Sequence, residues 1–245
     1  MSIIYAPKGR AGEYSELAAN LYSGCSHGCV YCYVPNILRQ ERKEFYFEPK
    51  PRKNILKLLQ KDCQKFYGEE RSILLSFTSD PYQPIDKKYK ITRYAIEIIK
   101  RYGLHVNILT KGGKRAERDF DLLDEKDKVG ATLTFSEETD SLKWEPEAST
   151  PKERMEMLKK AKEHGFQTWV SLEPVIDPYQ TLKLIDMTHE YVDHYKVGLL
   201  NYHPKSRQIN WKKFANDVLE ILTKHNKDYY IKNDLRMYLT KGGHE

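Results

Sequence analysis

The chain has 245 residues, of which 40% are hydrophobic and 31% are charged, and its formal net charge is +6. A chain of this length buries roughly 70–75% of its unfolded surface, so one sizeable core is expected, and the mild positive charge permits an anionic partner without requiring one. No apolar run approaches the roughly 18–20 residues that span a bilayer, and the polar N-terminus lacks a secretory signal, so we expect a cytoplasmic protein with no membrane partner.

Strand and helix patterns alternate along most of the chain. The runs typical of strands are residues 19–23, 72–77, 104–110, 130–135, 166–173 and 194–200. The runs typical of helices are residues 51–66, 92–103, 116–126, 150–165 and 179–191. Connections this short favour parallel βαβ units, and about six units are too few for an eightfold barrel. We therefore predict an α/β fold, a partial (β/α)6 TIM barrel, rather than a flat doubly wound sheet.

The clearest local signal lies in the helix predicted at 150–165. Thr150 is a good N-cap, Pro151 fits the first turn, and Glu153 completes a capping box. After residue 200 the alternation weakens, with one more helical pattern at 211–225 and a short closing segment. We therefore predict a core domain over residues 1–200 and a C-terminal helical extension over residues 201–245 that packs on it.

Polar and turn-forming residues collect where the predicted strands end. The segments are GCSHGCVYCY, TSDPYQP, TKGGKR, FSEETD, EPVIDP and NYHP. In parallel barrels and sheets, binding and catalytic groups gather at the carboxyl ends of the strands. The sequence therefore predicts one functional rim, built from these loops.

Three of the four cysteines, Cys25, Cys29 and Cys32, fall within eight residues. Three thiols cannot all pair as disulfides, and structural zinc needs a fourth ligand, for which His27 in the same loop is the nearest candidate. Thiolates also suit iron–sulfur clusters, and three ligands would leave one iron of a four-iron cluster open for a small molecule, which is the interpretation we favour. Cys63 lies on an apolar helical face and is expected in the core.

The spacing C-x3-C-x2-C, with Tyr31 before the third cysteine, resembles the signature of radical S-adenosylmethionine (radical SAM) enzymes. More narrowly, NLYSGCSHGCVYCY, FTSDPYQPIDKKYKITR and LTKGGKRAERDFDLL resemble the spore photoproduct lyase-related branch, over about residues 18–200. The resemblance implies a partial barrel of the radical SAM type, a [4Fe–4S] cluster on the three cysteines, and S-adenosylmethionine (SAM) at the open iron. It also implies reductive cleavage of SAM to a 5′-deoxyadenosyl radical that attacks a substrate, with an electron donor such as flavodoxin or ferredoxin.

The resemblance and the strand-end positions together mark the side chains that would contact SAM. They are Tyr31, Tyr33, Thr78, Ser79, Asp80, Lys111, Ser136 and Glu173. Lys111 would meet the carboxylate of SAM as a point charge and Asp80 its amino group. An Asp–Pro pair can also simply start a turn, and a loop lysine is often solvated. Tyr202 and His203 are candidates to face the substrate.

The substrate is the least determined part of this interpretation. The segment SFTSD carries Phe77 and no cysteine, whereas spore photoproduct lyase is thought to use a nearby cysteine as hydrogen donor, which speaks against thymine-dimer repair by that route. Basic runs at residues 87–90 and 111–115 favour an anionic substrate such as nucleic acid, unless they are merely solvated. Two other functions stay open: a non-catalytic zinc- or RNA-binding module, and a structural α/β protein with incidental cysteines.

Overall fold

Seven parallel strands form the wall of an open barrel, and an antiparallel strand lies at its first edge. The computed structural model describes residues 2–240. Within them the strands are β1 (Ile4–Tyr5), β2 (Leu17–Ala19), β3 (Tyr22–Ser23), β4 (Lys50–Pro51), β5 (Ile73–Leu75), β6 (Val106–Thr110), β7 (Lys128–Thr132), β8 (Gln167–Leu172), β9 (His194–Val197) and β10 (Asp228–Ile231). The main sheet has the order β1-β2-β5-β6-β7-β8-β9-β10, and β3 pairs with β4 in a small second sheet. The predicted α/β partial barrel is confirmed, with one parallel strand more than the six predicted.

Helices connect the parallel strands. Within residues 2–240 the α-helices are α1 (Val34–Leu38), α2 (Arg42–Phe47), α3 (Ile55–Lys65), α4 (Asp86–Tyr89), α5 (Ile91–Arg101), α6 (Glu138–Trp144), α7 (Pro151–Glu163), α8 (Pro178–Thr188), α9 (Trp211–Lys224) and α10 (Asn233–Thr240). Short 3₁₀ helices span Gly9–Ala11, Gly113–Leu122 and Pro204–Gln208. Among the described helices, none has both the length and the apolar composition that a bilayer crossing requires.

Local sequence signals explain where several of these helices begin. In α7 the predicted capping box is present, because the Thr150 hydroxyl accepts a hydrogen bond from the Glu153 amide at 3.2 Å and the Glu153 carboxylate accepts one from the Thr150 amide at 3.0 Å. The carboxylate of Asp177 likewise caps α8 by accepting the Tyr179 amide at 2.9 Å. In α3, Cys63 is fully buried in the core, as predicted.

Three predicted elements differ from the observed ones. The run at 19–23 is divided between β2 and β3, because the Asn20 side chain accepts the amides of Phe77 and Thr78 at 2.8 and 2.9 Å. The helix predicted at 116–126 is the 3₁₀ helix that ends at Leu122. The strand predicted at 130–135 begins earlier, at residue 128, because the Asp127 carboxylate binds the Val106 amide at 2.7 Å and aligns the neighbouring strand starts.

The barrel interior is filled below its open end by a small apolar group of its own. Ala18, Leu74 and Trp169 are buried there, separately from the large core that packs between the sheet and the helices. Trp169 fits because Gly130 on the next strand has no side chain: a Cβ there would lie 2.4 Å from the indole ring. The indole also donates to Asn107 at 2.7 Å, so the floor of the barrel mouth is fixed.

The segment after residue 200 takes part in the main sheet. β10 pairs in parallel with β9 along residues 228–231, and the next residue, Lys232, donates its amide to Val197 at 2.9 Å. The division of the chain at residue 200 stays a prediction, and residues 241–245 of the predicted extension lie outside the described residues. This segment brings one charged side chain into the barrel mouth, as described below.

Candidate active site

A cavity of about 560 Å³ opens at the carboxyl ends of the parallel strands. The side chains that define its walls come from the segment before β2, the cysteine loop, the loops after β5, β6 and β8, the segment after β9 and the end of β10. They include Tyr14, Cys25, Cys29, Tyr31, Cys32, Tyr33, Ser76, Thr78, Ser79, Asp80, Lys111, Glu173, Leu199, Leu200, Tyr202 and Lys232. Five of the six predicted rim segments thus contribute to this cavity, and FSEETD does not.

The three cysteines of the loop are free thiols that face this cavity together. Burial raises the pKa of Cys29 to about 12 and the pKa of Cys32 above its ordinary value, so both are neutral until a metal displaces their protons. Gly24 lets the loop approach its support, because a Cβ there would lie 2.7 Å from the Phe45 carbonyl oxygen. The fourth cysteine, Cys63, belongs to the core of α3.

Gln83, in the loop after β5, clamps the backbone around the first cysteine. Its side-chain carbonyl accepts the Ser26 amide at 3.0 Å, and its amide group donates to the Gly24 carbonyl at 3.2 Å. Gln83 is fully buried, so these bonds are shielded from water. The sequence motif TSDPYQP therefore builds the cysteine loop as well as the cavity wall.

His27 is held on both ring nitrogens. Its Nε2 lies 2.9 Å from the Arg115 guanidinium and its Nδ1 lies 3.5 Å from the Asp80 carboxylate, and the residue is 1% exposed. Burial lowers the pKa of His27 to about 4, so the ring is neutral, accepting at Nε2 and facing Asp80 through Nδ1–H. This arrangement leaves no lone pair for a metal, which removes the fourth ligand on which the zinc interpretation depended.

The main contacts of Asp80 are with the loops after β5 and β6 and not with the cavity. Its carboxylate accepts hydrogen bonds from the Tyr82 amide at 2.8 Å, the Thr110 hydroxyl at 2.6 Å and the Lys111 amide at 2.7 Å. Burial works against its ionisation, but His27 and these donors hold the pKa of Asp80 below its ordinary value. A carboxylate with both oxygens engaged in this way fixes the position of Lys111.

Lys111 carries a buried ammonium beside the cysteines. The ammonium lies 5.6 Å from the centroid of the Tyr31 ring, and within residues 2–240 it forms no ion pair or hydrogen bond of its own. Burial opposes its charge, but the pKa of Lys111 lies above its ordinary value, and the buried carboxylate of Glu145 is one of the groups that raise it. The hydroxyls of Ser76 and Ser79 on the same cavity are buried and also lack partners among these residues. Three thiols, a free cation and two orphaned hydroxyls fit a sulfur-ligated metal cluster and a ligand with a carboxylate.

Behind the cysteine loop lies an ion pair that the sequence did not suggest. Glu145 and Arg154 approach to 2.6 Å, and their side chains are 0% and 1% exposed. Glu145 also accepts hydrogen bonds from the Tyr31 hydroxyl and from the Thr134 hydroxyl, the latter at 3.1 Å. The available signal was Arg154 itself, a charged residue on the apolar face of the predicted helix, one turn before Leu158.

Glu173 closes the opposite side of the cavity. Its carboxylate accepts the Tyr14 hydroxyl at 2.5 Å and the Lys232 ammonium at 2.7 Å, and the Asn201 amide lies 3.4 Å away. Lys232 is only 2% exposed and comes from the end of β10. Tyr14 and Lys232 were not predicted, because each lies far from the strand-end motifs in sequence.

The remaining predicted residues divide between the cavity and its surroundings. Tyr33 and Thr78 line the cavity, as does Tyr202, which is 86% exposed at its outer edge. Ser136 lies beyond the wall, where its amide binds the Gln180 side chain at 3.0 Å. His203 packs edge-on against Trp144, with ring centroids 5.2 Å apart.

Comparison with known sequences gives a consistent result. The sequence model of the radical SAM superfamily matches residues 19–192. An uncharacterized protein of Acidianus two-tailed virus is 32% identical over 191 residues, which are 72% of this chain and 62% of that one. An uncharacterized protein of Methanocaldococcus jannaschii is 26% identical over 239 residues, 89% of each chain. The chain thus spans less than two thirds of the viral relative and most of the archaeal one.

Comparison with solved structures agrees on the fold. A spore photoproduct lyase mutant with bound AdoMet and dinucleoside spore photoproduct matches with a TM-score of 0.71 at 15% identity, over 93% of this chain and 78% of that one. SuiB of Streptococcus suis, bound to S-adenosylmethionine, matches with a TM-score of 0.64 at 12% identity, over 93% and 53% of the two chains. At such identities the likeness shows the shared partial barrel alone.

Proposed function

This chain belongs to the radical SAM superfamily of enzymes, and from that premise we propose that it cleaves SAM reductively and uses the product radical on a nucleic-acid substrate. The superfamily implies SAM and an iron–sulfur cluster as cofactors. When bound, they supply an electron and a 5′-deoxyadenosyl radical that abstracts hydrogen, while the protein supplies position and shelter. The observation that carries the proposal is the set of three free thiols beside an unpaired ammonium in one cavity.

Cys25, Cys29 and Cys32 would hold a [4Fe–4S] cluster with one iron free of protein ligands. The loop that carries them is fixed before any metal binds, since Gln83 clamps its backbone and His27 is held by two charged neighbours. Prearranged ligands lower the entropy that cluster binding must overcome. His27 is occupied elsewhere, so an external ligand would complete the fourth position.

Lys111 would bind the carboxylate of SAM. Asp80 would act on SAM through Lys111, since it holds the Lys111 backbone and has no free oxygen. Thr78, Ser79 and the nearby Ser76 would offer hydroxyl groups, two of which are buried without partners. Tyr31 and Tyr33 would shield this part of the cavity from solvent. These assignments place SAM between the cysteine loop and the ends of β5 and β6.

Glu173 is proposed at the adenosine end of SAM, held in place by Lys232 and Tyr14. An acidic side chain with one free lone pair on Oε1 can accept a ribose hydroxyl. Ser136 has no place in this arrangement, because its amide is bound to Gln180 outside the cavity wall.

The outer edge of the cavity supports a nucleic-acid substrate. Tyr202 is exposed there, with the Arg10 guanidinium 5.5 Å from its ring centroid, and Lys8 lines the same opening. Nearby, the Lys205 ammonium lies 5.7 Å from the centroid of Trp144. Exposed aromatic rings stack on bases and neighbouring cations meet phosphates, which is how single-stranded nucleic acids are usually bound.

The function is tested by anaerobic reconstitution with iron and sulfide, followed by reduction with dithionite in the presence of SAM. We expect a brown protein with thiolate-to-iron charge-transfer absorbance, and 5′-deoxyadenosine and methionine on chromatography. Cys29→Ala should lose the cluster, whereas Cys63→Ala, a change to a buried core thiol, should keep it. A colourless protein that retains zinc would reject the proposal, and so would a complete cluster that never yields 5′-deoxyadenosine.

A further inference from the structure

The chain immediately after the first two cysteines exposes an unusual number of large apolar side chains. Val30, Leu38 and Phe47 are between 48% and 78% exposed, fall within residues 30–47 and do not line the cavity, whereas the exposed Tyr33 and Ile37 in the same stretch do. We call the surface made by residues 30–53 the cysteine-side surface. Exposed apolar groups that cluster and are rimmed by polar residues commonly mark an interaction site.

The fold itself does not use this surface. In α1 only Val34 and Pro35 are buried, and in α2 only Phe45 is. Of the remaining apolar side chains, Ile37 lines the cavity, whereas Leu38 and Phe47 are exposed and do not. The apolar residues of the surface therefore contribute little to the core, and their exposure needs another explanation.

All three cysteines are hydrogen-bonded through their backbone to α2. The Cys25 amide donates to the Phe45 carbonyl at 2.9 Å, the Tyr46 hydroxyl donates to the Cys29 carbonyl at 2.9 Å, and the Arg42 guanidinium donates to the Cys32 carbonyl at 3.0 Å. One short helix thus contacts the backbone of all three cysteines, which face the cavity with their side chains. A protein docked on the outer side of α2 would therefore contact a helix that is itself hydrogen-bonded to each cysteine.

The cysteine-side surface is also basic. Residues 39–53 contain six Lys or Arg and three Glu, so this stretch of fifteen residues carries half of the net charge of +6 of the whole chain. Arg39, Lys43 and Lys50 are exposed and take no part in binding the cysteine loop. An acidic partner would be attracted to this face, and its apolar contacts would then fix the complex.

We infer that the cysteine-side surface docks an acidic, low-potential electron-carrier protein, the flavodoxin type being the partner we select for the test. The inference rests on the proposed function, since a cluster on the three cysteines would be what receives the electron. In each encounter one electron leaves the carrier, which is oxidised by one electron, and the cluster is reduced by one electron. No covalent bond forms or breaks in this step.

The test compares two reductants on the reconstituted protein. The variants are Lys43→Glu and Phe47→Ser, and the matched controls are Lys159→Glu on α7 and Met187→Ser on α8, which are exposed changes of the same kind far along the chain. With reduced flavodoxin, cluster bleaching followed by stopped flow should slow about tenfold in both variants and in neither control. The loss in Lys43→Glu should shrink as salt is added. With dithionite, all five proteins should bleach at the same rate.

Cluster bleaching is measured without SAM. The docking surface and the proposed cleavage of SAM are therefore tested by separate measurements. Bleaching by flavodoxin that never leads to 5′-deoxyadenosine would reject the proposed function and leave the docking surface standing. Unchanged flavodoxin rates in both variants would overturn the docking surface. So would an equal loss with dithionite, which would show that the changes damage the cysteine loop. A wild-type dimer in sedimentation that Phe47→Ser makes monomeric, with unchanged reduction, would assign the surface to a second copy of this chain and overturn the inference.

Discussion

The carboxylate of Glu145 accepts a hydrogen bond from the hydroxyl of Tyr31, the residue directly before the third cysteine of the loop. Because Glu145 is in turn paired with Arg154, the cysteine loop is fastened to α7 through a buried charge pair. Breaking such a pair by removing one partner typically costs about 3–5 kcal/mol, since the other charge is left buried. We therefore expect Glu145→Gln to lower the free energy of unfolding of the metal-free protein by about that amount, measured in urea.

A control for this prediction is available on the surface. Glu156 pairs with Lys114 at 2.7 Å, but both side chains are largely exposed, so Glu156→Gln should change stability little. The double variant Glu145→Leu with Arg154→Met should recover part of the loss, because no charge is left buried. If Glu145→Gln and Glu156→Gln lowered the free energy of unfolding equally, burial would not be what makes the Glu145–Arg154 pair important for stability.

Lys111 gives the sharpest prediction about the cofactor. A charge-assisted contact between its ammonium and the SAM carboxylate would contribute roughly 1.5–3 kcal/mol, or about 10- to 150-fold in affinity. Lys111→Ala should weaken SAM binding by that factor and leave the cluster spectrum unchanged. The control is Lys114→Ala, in the same loop, whose ammonium is paired with Glu156 away from the cavity. Calorimetric titration of reconstituted protein would decide, and identical SAM affinity in both variants would place the cofactor on other strands.

The residues that could be predicted from sequence are those with a local pattern. The three cysteines have a fixed spacing, Thr150 and Glu153 form a capping box within one turn, and Lys111 directly follows a strand. Each of these patterns involves residues that are close together in the sequence. It can therefore be recognised without knowing how distant parts of the chain pack. For the same reason, β5, β6, β7, β8 and β9 lie at apolar runs that the sequence predicted as strands.

The residues that were missed depend on contacts between distant parts of the chain. Tyr14 and Lys232 meet at Glu173 only because the barrel is open, so that the N-terminal segment and the end of β10 approach the same strand end. Glu145 follows a short helix with no motif and acquires its role from Arg154 and Tyr31. Ser136 was expected directly after the strand predicted at 130–135, but β7 ends at Thr132, and the Ser136 amide binds the Gln180 side chain instead.

Asp62 on α3 predicts how stability depends on pH. Its carboxylate binds the amides of Ile3 and Ile4, the hydroxyl of Ser2 and the ammonium of Lys65, and so holds β1 against α3. Burial works to raise the pKa of this carboxyl, but these donors lower it to about 2. Since an unfolded aspartate has a pKa near ~3.9, the contribution is complete above that pH and is lost as the pH falls toward 2.

At neutral pH, Asp62→Asn should lower the free energy of unfolding by about 1–3 kcal/mol, because buried amides lose their charged acceptor. The difference from the wild type should shrink between roughly pH 4 and pH 2, where the wild-type carboxyl gains its proton. Urea unfolding at a series of pH values measures both effects, with the exposed change Glu125→Gln as control. A difference that stays constant across this range would show that the carboxylate charge is not what holds β1.

Tyr202 tests whether the outer edge of the cavity binds nucleic acid. It is the most exposed aromatic residue of the described chain, at 86%, and it lines the opening together with Lys8. Stacking of one base on an aromatic ring is worth about 1–3 kcal/mol, so Tyr202→Ala should weaken binding of a fluorescent single-stranded oligonucleotide about 5- to 150-fold.

Lys8→Ala should instead lower the slope of log affinity against log salt by about one, as the loss of one phosphate contact does. Tyr67→Ala, an exposed tyrosine that does not line the cavity, should change neither quantity. Anisotropy titrations at several salt concentrations measure both, and equal behaviour of the Tyr202 and Tyr67 variants would direct the search for the substrate away from nucleic acid.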